Sequence, residues 1–223
     1  MLVTKKMPKS LSAESYRSLR SSIRFANIDK TIKTIVVTSS IAGEGKSTIS
    51  GNLAYILSQD ESRVLIIDCD LRKPDIHQKF YIDNEKGLSN VLVGECALKD
   101  VIKKIEDSLF LITAGTIPPN PSELLGSHAM EDLLNEVSDT FDYIVIDTSP
   151  ILPVTDALIL AAKSDATIIV ARSKKTKGKI IKQSYDKLIE AKANIIGSVL
   201  NDCNKSIDKK HYGYYNESKN KKR

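Results

Sequence analysis

From residue 32 to residue 201 the chain alternates compact apolar runs with longer amphipathic stretches. Six runs read as strands, at 34–38, 64–68, 109–113, 143–147, 166–171 and 195–201. They are rich in Val, Ile and Leu and largely unbroken by polar letters. That is the pattern of strands covered on both faces, as in a parallel sheet. Helical spacing falls between them, at 46–59, 98–104, 128–137, 156–162 and 179–191. The alternation predicts an α/β fold: a doubly wound, mostly parallel β-sheet with helices on both faces. An earlier helix is expected over 11–27, on a weak stripe of Leu11, Ser15, Leu19, Ser22 and Ile23. Residues 1–10 read as polar and loose. Residues 202–223 carry Gly213, several Asn and many Lys, and read as a mobile tail.

Composition sharpens this in three places. The chain has 223 residues, so one domain with extensions is the simplest division. The core must be aliphatic, because aromatic residues are 5% and tryptophan is absent. The net charge of +5 is a property of the tail: residues 209–223 hold six Lys/Arg and one acid, Glu217. A basic surface for nucleic acid spread over the fold is therefore not expected. Cys69, Cys96 and Cys203 lack metal-type spacing and read as reduced thiols of a cytoplasmic protein. No signal peptide or bilayer-length apolar run is evident.

The first strand runs into Ser39-Ser40-Ile41-Ala42-Gly43-Glu44-Gly45-Lys46-Ser47-Thr48, and a helical pattern follows. Strand, glycine-bearing loop and helix form the setting of a P-loop NTPase phosphate cradle. Backbone N–H groups of Gly43, Glu44, Gly45, Lys46, Ser47 and Thr48 would face phosphate oxygens of ATP. Lys46 would reach the β- and γ-phosphates, and Ser47 would hold Mg²⁺. The usual first glycine of the pattern is replaced by Ser40. Ligands of such sheets sit at the carboxyl ends of strands, where Asp68, Asp70 and Asp147 stand. The plainer reading of an Asp after a strand is a helix cap. Three beside a phosphate loop favour Mg²⁺, with Ser47, Asp68 and Asp147 as ligands. Lys46, Asp68, Asp70 and Asp147 form the candidate catalytic set, with either Asp68 or Asp70 meeting an attacking hydroxyl. Arg72 would contact phosphate or pair with Asp70. Arg172 and Asn201 end strands near the nucleotide, and Asn201 would touch adenine or simply end its strand.

These motifs resemble the bacterial tyrosine kinases of capsule and exopolysaccharide synthesis. Gly43–Thr48 is similar to that family's Walker A motif, Asp68-Cys69-Asp70-Leu71-Arg72 to its Walker A′ motif, and Asp147-Thr148-Ser149-Pro150 to its Walker B motif. Pro118-Pro119-Asn120-Pro121-Ser122-Glu123-Leu124-Leu125 resembles a further family hallmark, and locally it reads as a loop starting a helix at Ser122. Glu14, Arg17 and Arg20 match an ExxRxxR motif on one helical face. The resemblance implies that this face docks on a neighbouring copy and builds a ring, with an octamer as the candidate size. It also implies autophosphorylation in trans at Tyr212, Tyr214 and Tyr215. The implied partners are a membrane-embedded polysaccharide co-polymerase, or chain-length regulator, acting as activator at the inner face of the membrane, and a cognate tyrosine phosphatase. The organisation then reads 1–30 for oligomerisation, 31–201 for catalysis and 202–223 as a basic tyrosine-bearing tail. Each phosphotyrosine adds about −1.5 to −2 charges, so modification at all three would cancel the tail's charge and loosen the ring.

Two other readings use the same fold. A partitioning or cell-division ATPase typically carries a second lysine near the start of its phosphate loop, where this chain has Ile41. A nucleotide-gated scaffold would bind ATP without transferring phosphate.

Overall fold

The computed structural model describes residues 2–26 and 32–203. The tail tyrosines Tyr212, Tyr214 and Tyr215 lie outside the described residues.

The apolar runs become strands: β1 (Thr34–Ser39), β2 (Val64–Asp68), β4 (Leu109–Ile112), β5 (Tyr143–Asp147), β6 (Ala166–Arg172) and β7 (Ile195–Asn201). A short β3 (Lys103–Lys104) joins them, and the sheet order is β3-β4-β2-β5-β1-β6-β7. All pairings are parallel except β3 with β4. Side chains alternate across the pleat and feed two cores. Val36, Leu65, Ile67, Ile112, Ile144, Ile146 and Ile169 enter one, where α8 (His128–Thr140) and α9 (Asp156–Ala162) pack. Ile35, Val37, Ile66, Leu111, Val145 and Ile168 enter the other, under α2 (Leu11–Phe25) and α3 (Lys46–Ser58). Covering both faces is why these strands read as continuous apolar runs.

The helix expected over 98–104 is corrected. It is one turn, α6 (Leu98–Val101), followed by β3 at the sheet edge. Val101 turns into the core, and the two lysines protect an exposed edge. The expectation that residues 1–10 are loose is also corrected. Val3–Lys6 form α1, and Leu2 packs on Gly51, where an added Cβ would lie 3.0 Å from Leu2 Cδ2. The backbone N–H and hydroxyl of Thr4 both donate to Asn52 Oδ1, at 3.0 and 2.9 Å.

The helix expected over 11–27 is present as α2, capped by Ser10, whose hydroxyl accepts from the Ala13 N–H. Its buried face is Ala13, Tyr16 and Ile23, with Leu19 partly buried, whereas Leu11 is exposed. Tyrosine supplies the apolar contact that the expected stripe lacked, and burial pushes its hydroxyl pKa up to about 12. Short helices α4 (Ile76–Phe80), α5 (Leu88–Leu92) and α7 (Pro121–Gly126) complete the loops above the strand ends, and α10 (Gly178–Glu190) precedes β7.

Candidate active site

The phosphate loop owes its shape to backbone freedom and to a buried acid. Gly43 and Gly45 have φ of +79° and +100°, which only glycine adopts without strain. Ser40 has no such φ, so serine is tolerated where the usual pattern has glycine. Glu44 is fully buried, and its Oε2 accepts from the Ile41 N–H at 2.8 Å while Oε1 accepts from the Thr176 hydroxyl. Its side chain thus closes the loop from behind, which leaves its backbone to face a ligand.

Two residues proposed as nucleotide neighbours grip the same loop. Asn201 Nδ2 donates to the Glu44 carbonyl at 2.9 Å, and Arg172 Nη1 donates to the Gly43 carbonyl at 3.3 Å. Arg172 is itself held by Asp202 at 2.8 Å. Asn201 presses so close that a Cβ on Gly45 would lie 2.1 Å from its Nδ2. Both side chains therefore bear on the conformation of the loop, a role that strand-end position alone did not suggest.

Lys46 opens α3 and is buried, with Nζ 3.6 Å from Asp70 Oδ2. Asp68 and Asp147 end adjacent strands and are register partners. Both are fully buried. Asp68 Oδ1 accepts from the Asp70 N–H at 3.2 Å, and Oδ2 accepts from the N–H groups of Asp75 and Ile76, at 3.2 and 3.0 Å. Asp68 thus bonds the start of the short helix α4, as the cap reading expects. Asp147 Oδ1 accepts from Ser50 at 2.8 Å, whereas the buried Oδ2 has no partner among the described residues.

Burial pushes the Asp68 carboxyl well above its usual range, and the neighbouring Asp147 pushes it further. Burial also raises Asp147, to about 6, against the opposing pull of Lys46 and of the Ser47 and Ser50 hydroxyls. Two such carboxylates, with one oxygen unpartnered, are what a cation between them would relieve. Asp147 Oδ2 and the Ser47 hydroxyl fit a hard divalent ion, and Asp68 Oδ1 retains one acceptor site. Among the described residues, no cluster of three or more His, Cys, Asp or Glu could hold a metal unaided. The donors present suit Mg²⁺ that takes its remaining ligands from phosphate and water.

Arg72 does not pair with Asp70. Its Nε and Nη2 donate to Asp156 Oδ2 and Oδ1, at 2.8 and 3.1 Å. Asp156 escaped sequence reading, because an acid in the first turn of a helix reads as a favourable dipole partner and no more. Ser122, in the Pro118–Leu125 segment, donates to the same carboxylate at 2.5 Å. Glu14, Arg17 and Arg20 divide their contacts. Arg17 pairs with Glu14 at 2.6 Å, while Arg20 is held by its own chain, at Asp60 (2.7 Å) and the Ile56 carbonyl (3.1 Å).

Comparison with known proteins agrees with this geometry. The AAA domain family matches residues 32–197. Tyrosine-protein kinase YwqD of Bacillus subtilis is 39% identical over 215 residues, covering 96% of this chain and 90% of that protein. Putative tyrosine-protein kinase CapB of Staphylococcus aureus is 37% identical, covering 94% and 92%. The crystal structure of the chimerical protein CapA2B2 superposes with a TM-score of 0.89 at 36% identity, covering 92% of this chain and 90% of that one. McdA of a cyanobacterium, at 22% identity and a TM-score of 0.65, shares the fold alone. The chain belongs to the bacterial tyrosine-protein kinases, P-loop enzymes that use the AAA-type nucleotide fold to phosphorylate tyrosine.

Proposed function

We propose that this kinase binds Mg·ATP in the 40–48 loop and passes the γ-phosphoryl group to Tyr212, Tyr214 and Tyr215 of a neighbouring copy, in the control of capsular or exopolysaccharide synthesis. The observation that carries the reading is the placement of Lys46, Asp70 and the Asp68–Asp147 pair around one loop mouth. Backbone N–H groups from Gly43 to Thr48 would cradle the phosphates, and Lys46 would offset charge on the transferred group. Mg²⁺, held by Ser47 and Asp147 with Asp68 beside them, would neutralise phosphate charge.

Asp68 has its oxygens largely engaged by backbone N–H groups. Asp70 offers Oδ2 toward Lys46, and it is the better placed of the two to receive the phenolic proton. Phosphoryl transfer needs positioning and charge cancellation more than a strong base, so an ordinary carboxylate suffices. The basic tail suits an acidic loop mouth, and a ring built through Glu14, Arg17 and Arg20 would bring tail and mouth together.

Names such as CapB support the polysaccharide setting. No described helix is long and apolar enough to cross a membrane. Recruitment to the inner membrane face would then fall to a chain-length regulator, which also activates the kinase, and a cognate phosphatase would reverse the modification.

The trans step is tested by mixing two variants with Mg·ATP and the regulator's cytoplasmic segment. One carries Lys46→Met with its tail intact; the other keeps Lys46 and has Tyr212, Tyr214 and Tyr215 changed to Phe. Phosphate on the Lys46→Met tail, located by mass spectrometry, is the expected result. A tail modified only when Lys46 is in the same chain would overturn transfer between copies.

A further inference from the structure

We propose that Asp156 is a positioning residue for phosphoryl transfer: by holding Arg72 and Ser122 it keeps the Arg72 guanidinium away from Asp70 and fixes the Walker A′ loop against the Pro118–Leu125 segment. This rests on the assignment of Asp70 to the acceptor side.

Asp156 sits in the first turn of α9 and is fully buried. Four donors meet its two oxygens. Oδ1 accepts from Arg72 Nη2 at 3.1 Å and from Ser122 Oγ at 2.5 Å. Oδ2 accepts from Arg72 Nε at 2.8 Å and from Ser149 Oγ at 3.4 Å. Arg72 Nη2 donates again to Ser122 Oγ, at 3.0 Å. Burial alone would raise the carboxyl pKa, but Arg72 and the hydroxyls more than reverse this and hold it below the usual range. The group is therefore an ionised, buried carboxylate with its acceptor capacity filled.

One knot thus ties together pieces of three motifs: Arg72 of Walker A′, Ser149 of Walker B, and Ser122 of the Pro118–Leu125 segment. Apolar packing also holds these loops. Leu71, Leu125, Ile151 and Ala157 already pack in one apolar core beneath these same loops. A buried ion pair adds little over such packing, and its better-attested use is to specify one arrangement among several. The two-pronged arginine contact has the directionality for that.

The arrangement matters because Arg72 follows Asp70 by two residues and its side chain is 40% exposed, at the rim of the site. Asp70 already lies 3.6 Å from Lys46 Nζ. Freed from Asp156, the guanidinium has Asp70 as a nearby anion, and Asp70 already contributes to the raised pKa of Arg72. An Arg72–Asp70 pair would compete with Lys46 and cover the carboxylate that meets the acceptor. Asp156 prevents this by giving Arg72 a two-pronged partner.

The test measures kcat, KM for ATP, phosphotyrosine formation and phosphate release for the full chain with Mg·ATP, together with binding of a fluorescent ATP analogue. Asp156→Asn should lower kcat about 10- to 100-fold, the scale of a misplaced catalytic group. Nucleotide affinity should change less than about threefold, because the side-chain bonds of the knot do not reach residues 40–48. Adding Arg72→Gln to Asp156→Asn should restore kcat at least about threefold, since no guanidinium is left to cover Asp70. Nucleotide affinity and kcat falling together, or a double variant no faster than Asp156→Asn, would overturn the proposal. Ser122→Ala keeps the charge pair and removes one donor, so it decides the matter even if Asp156→Asn does not fold. Its kcat should fall about threefold at unchanged nucleotide affinity, and an unchanged kcat would contradict the proposal. If the wild-type chain releases phosphate without labelling tyrosine, the acceptor assignment fails, and the same variant ratios read on phosphate release still decide the role of Asp156.

Discussion

At the scale of single residues, the site is a set of charges largely shielded from solvent. The apo protein accepts two buried carboxylates, and this carries a pH signature. A carboxyl whose folded pKa is raised binds protons more readily folded than unfolded. Its contribution to stability is therefore full below the ordinary value of 3.8 and is lost as pH rises through about 6. In the absence of Mg²⁺ and nucleotide, Asp147→Asn should be more stable than the wild type at neutral pH, on the order of 2 kcal/mol. The advantage should shrink on acidification through that window, and thermal melts of both proteins across the range check it. Gly45→Ala makes a steric prediction. The φ of +100° and the 2.1 Å approach of Asn201 leave a methyl group no room. Affinity for ATP should fall about 100-fold or more while the circular dichroism spectrum stays that of the wild type. That Lys46, Ser47, Asp68, Asp70 and Asp147 would meet at one loop mouth was legible, because local spacing ties them to strand ends. The partner of Arg72 was not, since Asp156 lies 84 positions away and nothing local marks it. Glu44 was legible as a loop member but not as a buried brace, because its partner Thr176 comes from the far side of β6.

At the scale of elements, the long periodic segments were readable and the short ones were not. Six strands and four long helices fall within a few residues of expectation, because two-sided burial imposes continuous apolar runs and one-sided burial imposes helical spacing. Helices α4 and α5 span five residues, too few for a period to emerge, whereas α7 starts within one residue of the helix expected at Ser122. β3 has two residues and α1 four, and the contacts that fix α1 are with Gly51 and Asn52 of α3. The α1 anchor is testable. Asn52→Ala leaves two Thr4 donors, buried against α3, without their acceptor. It should cost about 1–3 kcal/mol in a urea titration, whereas a surface control such as Gln59→Ala should stay within about 0.5 kcal/mol. α2 also leans on the end of α3, through Arg20 at the Ile56 carbonyl and through Arg20 and Arg24 at Asp60 just beyond it. These half-exposed pairs orient the helix more than they stabilise it.

At the scale of the whole molecule, the sheet order places the ends of β1, β2 and β5 side by side, and every catalytic candidate lies on those strand tips or just beyond them. Assembly in trans would then be a matter of which surface meets which tail. Arg17 pairs with Glu14 and bonds the Pro8 carbonyl, but its side chain is more exposed than that of Arg20, so it is the more accessible of the two arginines for a neighbour. Arg17→Ala should reduce the assembled fraction in light scattering and lower tail phosphorylation about tenfold at dilute protein, with phosphate release per chain nearly unchanged. Equal assembly of variant and wild type would remove α2 from the interface. The activity itself turns on where the terminal phosphate goes. The direct measurement supplies the purified chain with Mg·ATP and the cytoplasmic segment of the proposed regulator, then counts phosphotyrosine against free phosphate. Label on tyrosine in excess of hydrolysis, abolished by Lys46→Met, is the predicted result. Steady ATP consumption with every tyrosine unmodified would contradict it.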